Sequence, residues 1–430
     1  MSFSGIPQYV QRIRMLSRNA KLYLVATVLM GLSNGIWGVI FYLYLNLAAV
    51  GYQPDFIGNV FTASALATGF IALPAGLLCE RIGPKKAILI GSTANTISLL
   101  QIFALQPTIL LITSLASGLI GTMGWVASAP FMAENSRPEE RTYLFSFDWG
   151  LMIIISVAGS YLGGILPDAF NSILRQPTGA EGAADGYRLA LVVSVTLALA
   201  AAVPILLTLE DKAKRRQKTA DLLSLRNIQS HRTILKFMIP TGIIGFGAGF
   251  IVPLFNLFFK LKLAATTEQI GIISSLSSVT LALGTLAAPA LSNRLGKVKS
   301  ISMCQYLSMP FIMLVTLSPN LPMASAAYIS RNALMNMAGP LTTSLQMELV
   351  TEKERGTTNG LMVMADNIPR AITASVSGGM MTGSDFFTPF LFTTVTYFAA
   401  SSLFLTFFRK AETRRTAESG DITEQESISN

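Results

Sequence analysis

At 430 residues, 51% of them hydrophobic and 13% charged, the chain carries about half the charge of an average soluble protein, in which Asp, Glu, Lys and Arg make up roughly 25%. That deficit excludes an ordinary soluble domain and makes a lipid bilayer the solvent to reason with. The formal net charge of +9 raises nucleic acid as a partner, but the basic residues lie in the breaks between apolar runs, where membrane topology accounts for them.

Apolar runs of about 20 residues, the length that crosses a hydrocarbon core of roughly 30 Å, recur along the chain. They fall at 22–48, 56–78, 86–105, 109–133, 142–166, 188–209, 233–259, 269–291, 300–318, 322–347, 358–382 and 388–408. The period-two alternation of barrel strands is absent. The fold class is therefore all-α, a membrane protein of twelve transmembrane helices. Of the 32 Lys and Arg, 26 fall in the tails and in every second loop, including Arg12, Arg14, Arg18 and Lys21 at the start and Arg215, Arg216 and Lys218 in the middle. The other loops hold Arg175, Arg188, Lys260 and Lys262. This bias places both termini in the cytoplasm. The first apolar run lacks a small-residue cleavage site and reads as uncleaved. Cys79 and Cys304 are too few for a disulfide framework or a metal cluster and read as packing residues. The last residues, 411–430, are polar and without aromatics, the composition of a disordered cytoplasmic tail.

The chain also matches itself at an offset of 213 or 214 residues. Gly31 and Gly35 recur as Gly245 and Gly249, Ile57 and Gly58 as Ile270 and Gly271, Glu134 and Arg141 as Glu348 and Arg355. Arg81, Gly83 and Lys85 recur loosely as Arg294, Gly296 and Lys297. Six helices per repeat is an even number, so the two six-helix bundles share one orientation and are related by a pseudo-two-fold along the membrane normal. The expected domains are an N-terminal bundle over 1–209, a cytoplasmic connector over 210–232 and a C-terminal bundle over 233–410.

The stretch Gly76, Leu77, Leu78, Cys79, Glu80, Arg81, Ile82, Gly83, Pro84, Lys85, Lys86 resembles the loop motif of the major facilitator superfamily, and the resemblance spans residues 20 to 410. Its second copy keeps Arg294, Gly296 and Lys297 but has Asn293 for the acid and Ala288 for the leading glycine. A second motif that the resemblance implies, a glutamate and then an arginine seven residues on, occurs as Glu134 with Arg141 and Glu348 with Arg355. Together these residues form the expected gating network. Basic loops beside acids at helix ends would latch the cytoplasmic ends of the two bundles, with Gly83 and Gly296 permitting tight turns. The chain departs from the family's drug and proton antiporters at Ser117, which aligns with their helix 4 arginine, and at Ser160, which stands in place of the proline of their helix 5 signature.

Intramembrane charges are costly and tend to mark function. Arg331 lies ten residues into helix 10, roughly 15 Å at 1.5 Å per residue, and Asp366 comes at similar depth in helix 11 with Arg370 one turn further. Pro369 between them frees a carbonyl. One reading has the net positive charge bind a carboxylate, phosphate or sulfate, with Asp366 the proton-coupling carboxylate. The other is a structural cluster in which Asp366 satisfies both guanidiniums with help from Asn332, Asn336 or water. Asn34, Trp37 and Tyr44 on helix 1 and Asn256 on helix 7 are weaker cavity candidates, since the resemblance implies that helices 1, 4, 7 and 10 line the cavity. Asp148, read as seven residues into helix 5, sits too near the cytoplasm for a midplane site and is assigned to the inner salt-bridge network. The lone histidine, His231, and the absence of metal-ligand or phosphate-loop spacings argue against an enzyme and predict no metal or cofactor.

The expectation is a secondary transporter of the cytoplasmic membrane, a monomer without a nucleic-acid partner. It would move a small organic solute by alternating access, anionic on the arginine reading, with protons the candidate coupling ion. Efflux of amphipathic compounds, for which 18 Met offer an adaptable cavity, and a non-transporting sensor of the same fold are the alternatives.

Overall fold

A computed structural model describes residues 17–47, 50–136, 138–174, 184–209, 230–351 and 354–428. All of its long elements are helices, and one answers to each predicted span. They are α1 Arg18–Leu45, α2 Pro54–Ile82, α3 Pro84–Ser92 continuing as Ala94–Phe103, α4 Pro107–Glu134, α5 Pro138–Ile173 and α6 Ala184–Ala200 continuing as Ala202–Leu206. The second set is α7 His231–Ile251 with a further segment Phe255–Leu263, α8 Thr267–Leu295, α9 Lys297–Leu317, α10 Leu321–Leu349, α11 Arg355–Thr382 and α12 Thr388–Ile428. By length and hydropathy alone eight of them qualify as membrane spans, or nine if the bent α8 is counted.

Local chemistry sets the helix ends. The Ser17 hydroxyl accepts from the Ala20 amide, and the Asn320 carbonyl oxygen accepts from the Met323 amide, each capping a first turn. Prolines open α2, α3 and α4 at positions where a missing N–H is harmless. The turns from α2 to α3 and from α8 to α9 close on Gly83 at φ 91° and Gly296 at φ 81°, a region that a Cβ disfavours. Both glycine amides donate over 2.8 Å, to the Cys79 and Ser292 carbonyls. The turn expected from the repeated motif is therefore present in both copies.

Contacts divide the chain into two compact units. The first holds α1–α6 with Pro253–Val279, and the second holds Ser224–Val252 with the chain from Thr280 onward. This differs from a division at the connector. The break in α7 at Val252–Leu254, where Pro253 interrupts the helix, hands its last segment to the first unit. There the Asn256 amide donates to the carbonyls of Gly38 and Val39 over 3.0 and 3.2 Å, and the Ser275 hydroxyl donates to the Val157 carbonyl over 3.0 Å.

The helix seats repeat along with the sequence. In the first unit α1 lies against α5: a Cβ on Gly35 would come within 2.6 Å of the Ser156 carbonyl oxygen, and one on Gly31 within 3.4 Å of that of Met152. In the second unit α7 lies against α11: a Cβ on Gly249 would come within 2.2 Å of the Arg370 oxygen, and one on Gly245 within 2.3 Å of that of Asp366. All four residues of one seat stand 214 positions from those of the other. Two hydroxyl-to-carbonyl bonds fasten the second seat, from Thr373 to Phe246 at 2.7 Å and a short one from Ser377 to Phe250, and Thr393 of α12 adds a third to α7 at Gly247 over 2.8 Å.

The α12 backbone runs helically to Ile428; its last stretch carries several Glu, Ala and Arg, all good helix formers. In α5 the helix starts at Pro138, four residues before the predicted span, while its apolar stretch runs over Phe147–Ile173, so Asp148 stands near the start of that stretch. Residues 1–16 and most of the connector, 210–229, lie outside the described residues, as does Arg175.

Candidate functional site

The second unit assembles the charged group from α10, α11 and α12. Arg370 and Asp366 sit one turn apart on α11, and a single guanidinium nitrogen, Nη2, donates to both carboxylate oxygens at 2.7 and 2.8 Å. Their side chains keep 20% and 28% of their surface exposed. Arg331 is far more enclosed, at 3%. Its Nη2 donates to the Tyr397 hydroxyl at 2.9 Å, and its guanidinium carbon lies 5.7 Å from the centre of that ring, within reach of a cation–π contact. Tyr397, on α12 and buried, was not singled out from sequence. Its only signal was a hydroxyl among the phenylalanines of an apolar span.

In the bonds seen, Asp366 accepts from Arg370 and Tyr397 accepts from Arg331. The Asn336 amide donates to the carbonyl and the side-chain oxygen of Asn332, both at 2.8 Å. Pro369 sits inside α11 without ending it.

In the first unit the repeat positions of Arg331, Asp366 and Arg370 are Ser117, Met152 and Ser156, and none of them is charged. The carboxylate there is Asp148, which accepts from the Thr27 hydroxyl at 2.5 Å. Its counterpart in the second unit is Met362, whose sulfur accepts weakly from Thr241 at 3.8 Å. Again both members of the pair are 214 residues apart. Asp148 was assigned to an inner salt-bridge network; among the described residues its partner is a threonine. Asn34 is exposed on α1, Trp37 stacks on Phe41 with ring centres 4.3 Å apart, and Asn256 is held by α1 carbonyls. The Tyr44 hydroxyl donates to the Ile102 carbonyl and accepts from Arg188, at 2.8 and 3.0 Å.

The expected gating residues bind within their own halves in every bond seen. Lys297 makes a short ion pair with Glu348 and donates to Ser344 at 2.8 Å. Lys85 donates to the Leu206 and Thr208 carbonyls at 3.0 and 2.6 Å, holding the C-terminal end of α6, where a cation suits the helix dipole. Arg81, Glu134 and Arg294 are exposed. A Cβ on Gly76 would meet Val126 at an ordinary 3.8 Å, so close packing does not demand glycine there. The side chains of Glu80, Arg141 and Arg355 lie outside the described residues. Both cysteines are buried and free.

The family model described as Major Facilitator Superfamily matches residues 23–257 and again 237–430, so nearly the whole chain is covered by two overlapping copies. Solved structures of the same fold include the nucleoside transporter NupG, 16% identical over 90% of this chain and 99% of that one with a TM-score of 0.67. A D-xylose–proton symporter is 15% identical over 92% and 97% with a TM-score of 0.70. A bacterial homologue of the human lysosomal transporter Spinster, in an inward-facing and unoccupied conformation, is 14% identical over 90% and 97% with a TM-score of 0.67. No curated protein matches the sequence significantly.

Proposed function

The chain belongs to the major facilitator superfamily, and from that premise we propose that it is a non-enzymatic secondary transporter. It carries a small organic solute across the cytoplasmic membrane by alternating access, and an ion gradient drives it. The observation that carries this reading is the repeated helix seat, α1 on α5 and α7 on α11 at residues 214 apart, because a carrier that rocks needs two comparable bundles. Charge at mid-helix in the second unit supplies the binding chemistry. Arg331, enclosed and aimed at Tyr397, is the anchor for an anionic group of the substrate, since a guanidinium matches carboxylate and phosphate oxygens in a fork. Arg370 is already held by Asp366 and serves as a second contact only when that pair opens.

A ligand screen by thermal shift on purified protein tests the assignment. A compound that raises the melting temperature of the wild type and leaves Arg331→Ala unmoved identifies both ligand class and site. Anionic solutes that stabilise both proteins equally would remove Arg331 from the site. Transport then needs proteoliposomes with an imposed gradient, where absence of flux for every stabilising ligand would favour a sensor. Efflux of amphipathic compounds is the second reading. It rests on the segment Gly159–Gly164, where a Cβ on Gly159 would come within 2.5 Å of the Leu32 oxygen and one on Gly163 within 3.0 Å of Ile36, so that glycines seat α5 on α1.

A further inference from the structure

Two carboxylates lie on the helices that carry the repeated seat, and they are built differently. Asp366 has both oxygens taken by Arg370, so a proton arriving there must first break an ion pair. Asp148 has no ion pair among the described residues. It lies on α5 at the edge of an apolar cluster of Ala20, Leu24, Met132 and Leu144, against which Tyr23 and Leu151 also pack. The buried Thr27 of α1 holds it. Among the described residues the groups facing it from its neighbours are few. From α1 come Thr27 and the phenol of Tyr23, with Lys21 six residues away on the same helix. From α4 come Phe131, stacked on Tyr23, and Glu134 in the last turn. The charges of α6, Asp185 and Arg188, sit at its opposite end.

The threonine has two acceptors. Its hydroxyl oxygen lies 2.5 Å from Asp148 Oδ1 and 3.2 Å from the Tyr23 carbonyl oxygen. A hydroxyl carries one proton and two lone pairs. With Asp148 ionised, the Thr27 O–H donates to Oδ1. With Asp148 protonated, the carboxylic O–H donates to Thr27 Oγ1, and the threonine proton turns to the Tyr23 carbonyl. Both protonation states keep the Thr27 Oγ1–Asp148 Oδ1 hydrogen bond on the same heavy-atom positions, so the proton enters and leaves without repacking α1 on α5. The only bond made or broken is one O–H, and the proton comes from and returns to solvent. In the second unit the same two positions are Thr241 and Met362, and a thioether cannot hold a proton.

We propose that Asp148 is the proton-binding group of this protein and Thr27 its positioning partner, so that the coupling ion is H⁺ and its site lies in the first unit, apart from the arginines. This rests on the reading of the chain as a gradient-driven transporter. A neutral Asp148 removes a charge from an apolar helix interface.

The test needs no substrate. Purified full-length protein in phosphatidylethanolamine–phosphatidylglycerol liposomes is titrated from about pH 5 to pH 8 while the carboxylic C=O stretch is followed by infrared difference spectroscopy. The titrating band is expected in the wild type and in Asp366→Asn, and lost in Asp148→Asn, whose amide oxygen can still accept from Thr27. Thr27→Val should keep the band but move it to higher frequency, and Thr27→Ser should restore its position. A band that survives in Asp148→Asn, that disappears in Asp366→Asn, or that is missing from the wild type over this range overturns the proposal. Proteoliposomes that move no solute, beside a titration that behaves as expected, would instead sink the transport reading and leave the proton site standing.

Discussion

At the residue scale the consequential fact is which partner each buried charge has. Arg331 donates to Tyr397, and Tyr397→Phe leaves a buried guanidinium with one bond fewer, which should destabilise the protein by about 1–3 kcal/mol and lower its melting temperature in detergent. Asp366→Asn strips Arg370 of its counter-charge. Both side chains keep a fifth or more of their surface, so water screens the loss, and we expect an effect below the roughly 3–5 kcal/mol for breaking a fully buried pair. A double-mutant cycle with Arg370→Met measures the pair itself, and a coupling near zero would make the contact incidental. The depth of Arg331 and Asp366 was legible in the sequence because 1.5 Å per residue converts position to depth. Their partners were not, since Tyr397 comes from α12, some 66 residues beyond Arg331.

At the element scale the seats are the points of least tolerance. Gly249→Leu and Gly35→Leu drive a side chain into the backbone of α11 and α5, and each should cost about 1–3 kcal/mol or more by overpacking, read as a lower unfolding temperature. Gly38→Leu, with open space where its Cβ would stand, is the control that should change little. The turn glycines act through backbone angle instead. Gly83→Ala and Gly296→Ala force an L-residue to φ near 91° and 81°, an expected cost of roughly 1–2 kcal/mol each. If both variants melt with the wild type, these turns are not strained. Helix identities were readable from hydropathy and prolines, whereas the start of α5 was not. Its first turn, Pro138-Glu139-Glu140-Arg141, is polar, so a hydropathy window begins the helix four residues late.

At the scale of the whole molecule, the repeat is where sequence and structure meet. The asymmetric loading of the bundles, with Arg331 and Arg370 in the second unit and the threonine-held Asp148 in the first, gives each half its own chemistry on a shared frame. Topology is checked directly: cysteines introduced at Ser4 and Ser427, in a Cys79→Ser, Cys304→Ser background, should react with an impermeant maleimide only after the membrane is opened, and labelling in sealed right-side-out vesicles would reverse the orientation. By itself the sequence determined the helix class, the spans and the 214-residue duplication, because hydropathy and glycine spacing are properties of short segments and survive translation into any tertiary arrangement. Only the tertiary structure decided that Lys297 and Lys85 bind within their own halves in the bonds seen, that Pro253–Val279 packs with the first unit, and that Asp148 accepts from Thr27. Those outcomes depend on which helix faces meet, and a side chain's partner is set by the crossing of two helices far apart in the chain, which no local pattern encodes.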